Sequence, residues 1–278
     1  MNNHTTLSLP RFLIDSANQA REQGSPSEDY LLLDGEGELL GVFDSVGGRD
    51  HGQLVSHLAG KMIASVWQSL SQKGSPPTQL EASLQALIRQ ADTMIARLLI
   101  PEKQRRPATT VVLSVLSFHQ GQAYITLAHI GDSRAYLLRA GQPLQRLTED
   151  DGYFPFMVGL GRMTKEEAWR IEQAACADEL SPCDQTHFAR RNKITCAVGW
   201  TDFPRIQTCS LALVPGDRVV LCTDGVHDNL TDQEMQEVLQ GSDESSAQRL
   251  VQAAYHRSQE IHFRAKQDDI SAIVAEYR

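Results

Sequence analysis

"CTDGVHD", residues 222–228, follows the turn signal and β-branched run "PGDRVVL". An Asp-Gly after an apolar strand is a common turn former. It is also what a strand carries if it holds a carboxylate at the rim of a site. Asp224 is not the only such residue. Asp44 ends the apolar run at residues 39–43 before "SVGG", and Asp268 in "KQDDISAIV" immediately precedes the final strand pattern. Asp132 lies in the short connection Gly131-Asp132-Ser133, and Glu28-Asp29 directly precede the first strand pattern. Carboxylates at strand ends can converge on one cleft, but two of them about 4 Å apart repel by roughly 4 kcal/mol at an effective dielectric of 20. Convergence therefore calls for a counter-charge, and an oxygen-only set suits Mg2+ or Mn2+. Taken one at a time, each Asp reads as a turn cap.

The elements that must position these residues are legible from periodicity. "YLLLDGEGELLGVFDSVGG" (30–48) reads as two strands joined by the turn Asp34-Gly35-Glu36-Gly37. Leu54, Val55, Leu58, Met62, Ile63, Val66, Trp67 and Leu70 recur at helical spacing. "KGSPPT" breaks that pattern, and Leu80, Leu84, Leu87, Ile88, Ala91, Ile95, Leu98 and Leu99 predict a second helix. Two amphipathic helices in succession predict an antiparallel pair on one sheet face. From Thr109, "TTVVLSVLSF", "QAYITLAHI" and "RAYLLRAG" read as an antiparallel meander with hairpin-length connections. Residues 150–195 lack a strand pattern, contain a short helix at 164–175, and read as a flap-like insertion. "IQTCSLALV" and "RVVLC" resume the strand texture, two helices follow, and "ISAIVAEY" closes the chain. Strands in runs and helices in pairs, without βαβ alternation, predict an α+β sandwich. Residues 1–24 read as an N-terminal segment and 25–278 as a single domain.

The balance of 26 basic against 35 acidic residues leaves a net charge of −9. That charge argues against nucleic acid or an anionic membrane as partner. The first residues lack a basic start followed by an apolar run, so no secretory leader is expected. No run approaches the roughly 18 apolar residues of a membrane span. The five cysteines (176, 183, 196, 209 and 222) form no CxxC pair and read as reduced thiols of a cytoplasmic protein.

The blocks "VFDSVGG", "IGDSRAYLLRAGQPLQRLTEDD", "GRMTKEEA", "RNKITCAVG", "PGDRVVLCTDGVHD" and "DDISAIV" together resemble the metal-dependent protein phosphatases of type 2C, the PPM family, in bacterial-like form. A lone Gly-Asp-Ser-Arg would be weak; six blocks in the family's order, over about residues 25–278, are specific. The resemblance implies a four-layer α-β-β-α sandwich, with two antiparallel sheets and flanking helix pairs. It implies Mn2+ or Mg2+ as cofactor, two ions per site with provision for a third. Asp44 resembles the aspartate that bridges both metals, and Asp224 and Asp268 those completing one of them. The second metal would take Asp44 and the Ser45 carbonyl, with Glu28 reached through water. Asp132 resembles the residue that shares a third, weaker metal with Asp224, and Asp269 would stand behind the ligands.

The implied reaction is hydrolysis of phosphoserine and phosphothreonine monoesters, by in-line attack of a water bridging the two metals. Its partners would be a phosphorylated protein and that protein's cognate kinase. Cys222 sits inside an apolar strand, which argues against a phosphocysteine route. Three positions depart from the family pattern. Ser45 stands where "DG" is usual, Val46 where many eukaryotic members carry a His, and Gly24 where a phosphate-binding Arg is common. Arg21, near in sequence but out of register, reads as either the substitute phosphate contact or a solvated surface charge. His227, three residues after Asp224, could approach the cleft but reads better as a solvent-facing turn residue, and Arg134 reads as either a phosphate contact or a structural ion pair. The alternative is a catalytically weak or inactive type 2C-like domain acting as a binding or regulatory module. A two-metal nuclease fits the carboxylates but not the acidic balance.

Overall fold

The structure is a computed structural model, and it describes residues 3–8, 11–22, 24–34, 38–46, 52–70, 74–98, 107–200, 205–241 and 245–278. The chain opens with β1 (Asn3–Ser8), β2 (Phe12–Gln19), β3 (Tyr30–Leu33), β4 (Leu39–Phe43) and β5 (Ser45–Val46). Helices α1 (Gly52–Ser69) and α2 (Pro77–Leu98) follow. Next come β6 (Ala108–Thr109), β7 (Val111–His119), β8 (Gln122–Ile130), β9 (Arg134–Leu138) and β10 (Gln145–Arg146). The segment after β10 carries α3 (Tyr153–Gly159), α4 (Lys165–Glu172), a 3-10 turn and α5 (Pro182–Phe188). β11 (Gln207–Leu213), β12 (Arg218–Cys222), α6 (Asp224–His227), α7 (Asp232–Leu239), α8 (Ser246–Gln259) and β13 (Ile270–Tyr277) complete it.

Among the described residues one sheet runs β1-β2-β13-β12-β9-β10, a second β11-β8-β7-β4-β3, and β5 pairs with β6. Side-chain alternation along each strand sorts the apolar residues into layers. Leu40 and Val42 face Ile14, Leu137, Val219, Leu221 and Ile273 between the sheets. Leu39 and Phe43 point the other way, onto Val55, Ile63, Trp67, Leu84 and Ile88 of α1 and α2. Likewise Val220, Cys222, Ala272 and Val274 meet Met235, Leu250 and Ala254 of the C-terminal helices. The result is the expected α-β-β-α stack of two antiparallel sheets between helices. Among the described residues no helix is long and apolar enough to cross a membrane.

Three expectations need correction, and one lies out of reach. Residues 1–24 do not stand apart: β2 lies between β1 and β13, and Ile14 is fully buried. Their polar wording, "FLIDSANQ", hid a strand buried on both faces. The three runs from Thr109 are not one meander. β7 and β8 form a hairpin through Gln120-Gly121, both at positive φ, whereas β9 belongs to the other sheet, beside β12. The link at 131–133 therefore crosses between sheets instead of turning within one. The helix expected at 164–175 is shorter, because Thr164 caps α4 in a reciprocal box with Glu167 and the helix ends at Glu172. Most of the turn expected at residues 34–37 lies outside the described residues.

The segment between β10 and β11 has a small core of its own, including Phe154, Met163, Ile171 and Phe188. Charge ties it to the sheet. The Arg134 guanidinium, 2% exposed, donates to Asp150 at 2.7 and 3.1 Å, to Glu172, and to the Tyr136 hydroxyl at 3.2 Å. Arg146 bonds the same two carboxylates. Arg134 is thus a structural ion pair. Breaking a buried pair leaves uncompensated charge, typically costing about 3–5 kcal/mol. Arg134→Met is therefore expected to lower the melting temperature by about 10 °C. A scanning-calorimetry shift within a degree of the unaltered protein would refute the network's role.

Candidate functional site

The register of the strands brings the acidic strand ends together. Cys222 pairs with Arg134 on one side and Ala272 on the other. Asp224, Asp132 and Asp268 therefore leave the same end of the six-stranded sheet. Asp44 leaves the neighbouring sheet beside them, since Val42 pairs with Val112 and β8 ends at Ile130, opposite Val111. Gly131, at φ 103°, makes the crossover; a Cβ there would lie 2.7 Å from Thr110 Cβ. Gly225 is held for a second reason. A Cβ on it would come within 2.1 Å of the Asp269 carbonyl oxygen, so only glycine lets the start of β13 pass over the Asp-Gly turn.

Each acidic residue is held by named partners. The Asp44 carbonyl accepts from Thr109 Oγ1 and from the Thr110 N–H, both at 2.8 Å. Ser45 Oγ donates to Glu28 Oε2 at 2.9 Å, so this hydroxyl orients an acidic side chain. Asp269 receives the N–H groups of Arg21 and Glu28 on its two carboxylate oxygens, which pins those two residues to the start of β13. The backbone of Arg21 is thereby held against Asp269, and the residue is exposed. Asp29 accepts from Thr223 Oγ1 at 2.9 Å.

Burial and mutual repulsion dominate the electrostatics. The Asp44 carboxyl is raised well above its ordinary value by burial, then by Asp224, Asp29, Asp268 and Asp132. Asp132 is raised by burial, then by Asp224 and Asp150. Burial also lifts Asp224, to about 6, with Lys266 opposing and Asp268 and Asp228 adding to the rise. Asp29 is raised by burial and by Asp269.

Two cations and a histidine complete the site, and sequence reasoning missed their roles. Lys266 Nζ bonds Asp224 Oδ2, Asp228 Oδ2 at 2.8 Å and Asp268 Oδ2 at 3.0 Å. Arg191 approaches Asp228 from the flap at 3.3 Å. Burial alone would raise Asp228, but Lys266 and Arg191 hold it well below the usual carboxylate range. His227 is not solvent-facing: it is 5% exposed, and its Nε2–H donates to the Asp132 carbonyl at 3.0 Å. Burial, with Arg134 nearby, keeps that imidazole neutral by lowering it well below its usual value. Arg264, itself buried, donates to the His227 carbonyl at 2.7 Å and to the carbonyls of Glu172 and Ala174. The only signals available in the sequence were Asp228, four residues after Asp224 on one helical turn, and Lys266, two before Asp268.

The donor set fits a hard divalent ion. It is made of oxygens, it carries mutually repelling charge, and Asp224 Oδ1 is buried without a hydrogen-bond partner. As the side chains stand, no three acidic, histidine or cysteine residues among those described close around one point as metal ligands. Lys266 takes up three of the carboxylates instead.

Comparison with known proteins gives a consistent result. A family model described as Protein phosphatase 2C matches residues 18–260. The serine/threonine protein phosphatase PstP of Mycobacterium tuberculosis is 30% identical over 223 residues, which are 78% of this chain and 37% of that protein. The chain thus spans little more than a third of that relative's length. The serine/threonine phosphatase stp of Listeria monocytogenes is 25% identical over 199 residues, 71% of this chain and 70% of that one. The crystal structure of the catalytic domain of PstP in complex with two manganese ions matches with a TM-score of 0.71 at 25% identity. That match covers 96% of this chain and 98% of the other.

Proposed function

The chain belongs to the protein phosphatase 2C family, and on that premise we propose that it hydrolyses phosphoserine and phosphothreonine monoesters on proteins, using two Mn2+ or Mg2+ ions. The observation that carries the reading is Asp224, buried with one oxygen unpartnered, among Asp44, Asp132 and Asp268, which repel it and one another. A protein without use for a metal gains nothing from such repulsion, which disfavours the inactive binding module. Bound divalent ions would supply Lewis acidity and neutralise the charge that develops on the transferred phosphoryl group.

The chain's own residues supply position. Asp44, Asp224 and Asp268 would hold the metal pair, with the Ser45 carbonyl and, through water, Glu28. The hydroxyl of Ser45 restrains the Glu28 carboxylate through a hydrogen bond. Asp132 would serve a third ion shared with Asp224, its backbone fixed by His227. Arg21, whose backbone N–H is held by Asp269, would be the cation that orients the phosphate in place of the family's arginine. The phosphoprotein and its cognate kinase are the partners this chemistry requires.

The test is turnover of a phosphothreonine peptide with Mn2+, run on the unaltered chain and on Asp132→Ala. The unaltered chain should turn over, and its failure would favour the binding module. Asp132 lies in a link between sheets, so its loss should leave two tight Mn2+ sites by calorimetry while turnover falls by about tenfold or more. Unchanged turnover with a slightly lowered melting point would make Asp132 a structural residue only.

A further inference from the structure

Among the described residues Lys266 bonds three of the site's carboxylates at once, and nothing in the proposed reaction uses it. Its ammonium has three N–H donors, and Asp224 Oδ2, Asp228 Oδ2 and Asp268 Oδ2 accept from it. Asp224 and Asp268 are the residues proposed above to hold the metal. A divalent ion drawn to these same carboxylates meets a cation already bonded to them, and two cations on one pair of carboxylates repel. The backbone of Lys266 cannot yield, because its N–H donates to Asn229 Oδ1 at 2.9 Å and its carbonyl accepts from Asn229 Nδ2 at 3.0 Å. The side chain can, since it is 21% exposed and its four-carbon stem is flexible. Asp228 also keeps a second cationic neighbour when the ammonium moves, because Arg191 approaches it from the flap.

We propose that Lys266 is the resident counter-cation of this carboxylate cluster, and that it competes with divalent ions for Asp224 and Asp268. It holds the metal-free site together against its own repulsion. Its displacement lowers the affinity for the first ion bound there. The inference rests on the metal reading given above.

Calorimetric titration with Mn2+ tests it on the full chain, comparing the unaltered protein with Lys266→Met, Lys266→Arg and Lys165→Met. Lys165 is an exposed flap lysine paired to Glu149, and it controls for loss of one positive charge at a distance. Lys266→Met should bind its first Mn2+ about tenfold tighter or more. Lys266→Arg, which keeps a cation, and Lys165→Met should stay near the unaltered affinity. The metal-free Lys266→Met protein should melt lower than the unaltered one, and the two should coincide when saturated with Mn2+. If Lys266→Met folds only with metal, it is loaded with Mn2+ and release into a chelator is timed; release slower than from the unaltered chain is expected. Equal or weaker affinity, equally fast release, or an arginine variant as tight as the methionine one would each overturn the competition. Absence of Mn2+ binding by every protein would overturn the metal reading as well, which separates the two failures.

Discussion

Asp44→Ala should lower turnover of a phosphothreonine peptide by about a thousandfold or more at saturating Mn2+, equivalent to about 4 kcal/mol of barrier. Asp44 is the acidic residue whose carboxyl feels Asp224, Asp29, Asp268 and Asp132 together. A residue at the centre of four like charges is the one through which two metals would be shared. The fold should survive, because the hydrogen bonds at this position, from Thr109 and Thr110, go to the main-chain carbonyl and not to the carboxylate. Removing one of several repelling carboxylates should leave the metal-free melting temperature unchanged or higher. Circular dichroism and calorimetry on the same preparation separate lost chemistry from lost structure. Activity near that of the unaltered chain at saturating metal would take Asp44 out of the site.

Stripping divalent metal should bring turnover to background, and restoring it should be steeply pH-dependent. Burial pushes the Asp224 carboxyl up from 3.8 to about 6, with the Asp268 and Asp228 carboxylates adding to the rise against the pull of Lys266. Asp44 and Asp132 are shifted in the same direction. A metal takes these groups deprotonated, so below pH 6 each ion bound must first expel protons. Apparent Mn2+ affinity should therefore fall as pH drops below about 6, by roughly tenfold per pH unit for each proton released. Titrations between pH 5 and 7.5 decide the matter. A flat affinity across that range would mean that Asp224 is not a ligand, and turnover persisting in excess chelator would end the two-metal mechanism.

The C-terminal helices show why some elements are read reliably from the chain. Thr231 and Glu234 form the same reciprocal cap as Thr164 and Glu167, and both pairs lie three residues apart in the sequence. The apolar spacing of α1 and α2 is equally local, and so is the alternation of "RVVLC". β2 resisted reading because it is held by partners more than two hundred residues away. Ala17 of β2 pairs with Ala272, and Asp15 Oδ2 accepts from the N–H of Ala247 at 2.7 Å. A polar strand of this kind has no periodic signal until its neighbours are known.

By itself the sequence determined which residues could carry the chemistry, namely oxygen-bearing side chains at strand ends, and the order of blocks that gave the family. Those are properties of residue type and local spacing. Only the tertiary structure decided that the 131–133 link crosses between sheets, which carries Asp132 from the end of β8 to the rim of the other sheet. It alone decided that His227 turns inward onto Asp132, that Ser45 restrains Glu28, and that Lys266 bonds Asp224, Asp228 and Asp268 together. Each of these rests on side chains brought within hydrogen-bond range by the packing of two sheets. Burial then sets their charge, since desolvation is the first cause of every raised carboxyl in the cluster. Neither proximity across sheets nor depth from water is written in the spacing of residues along one chain.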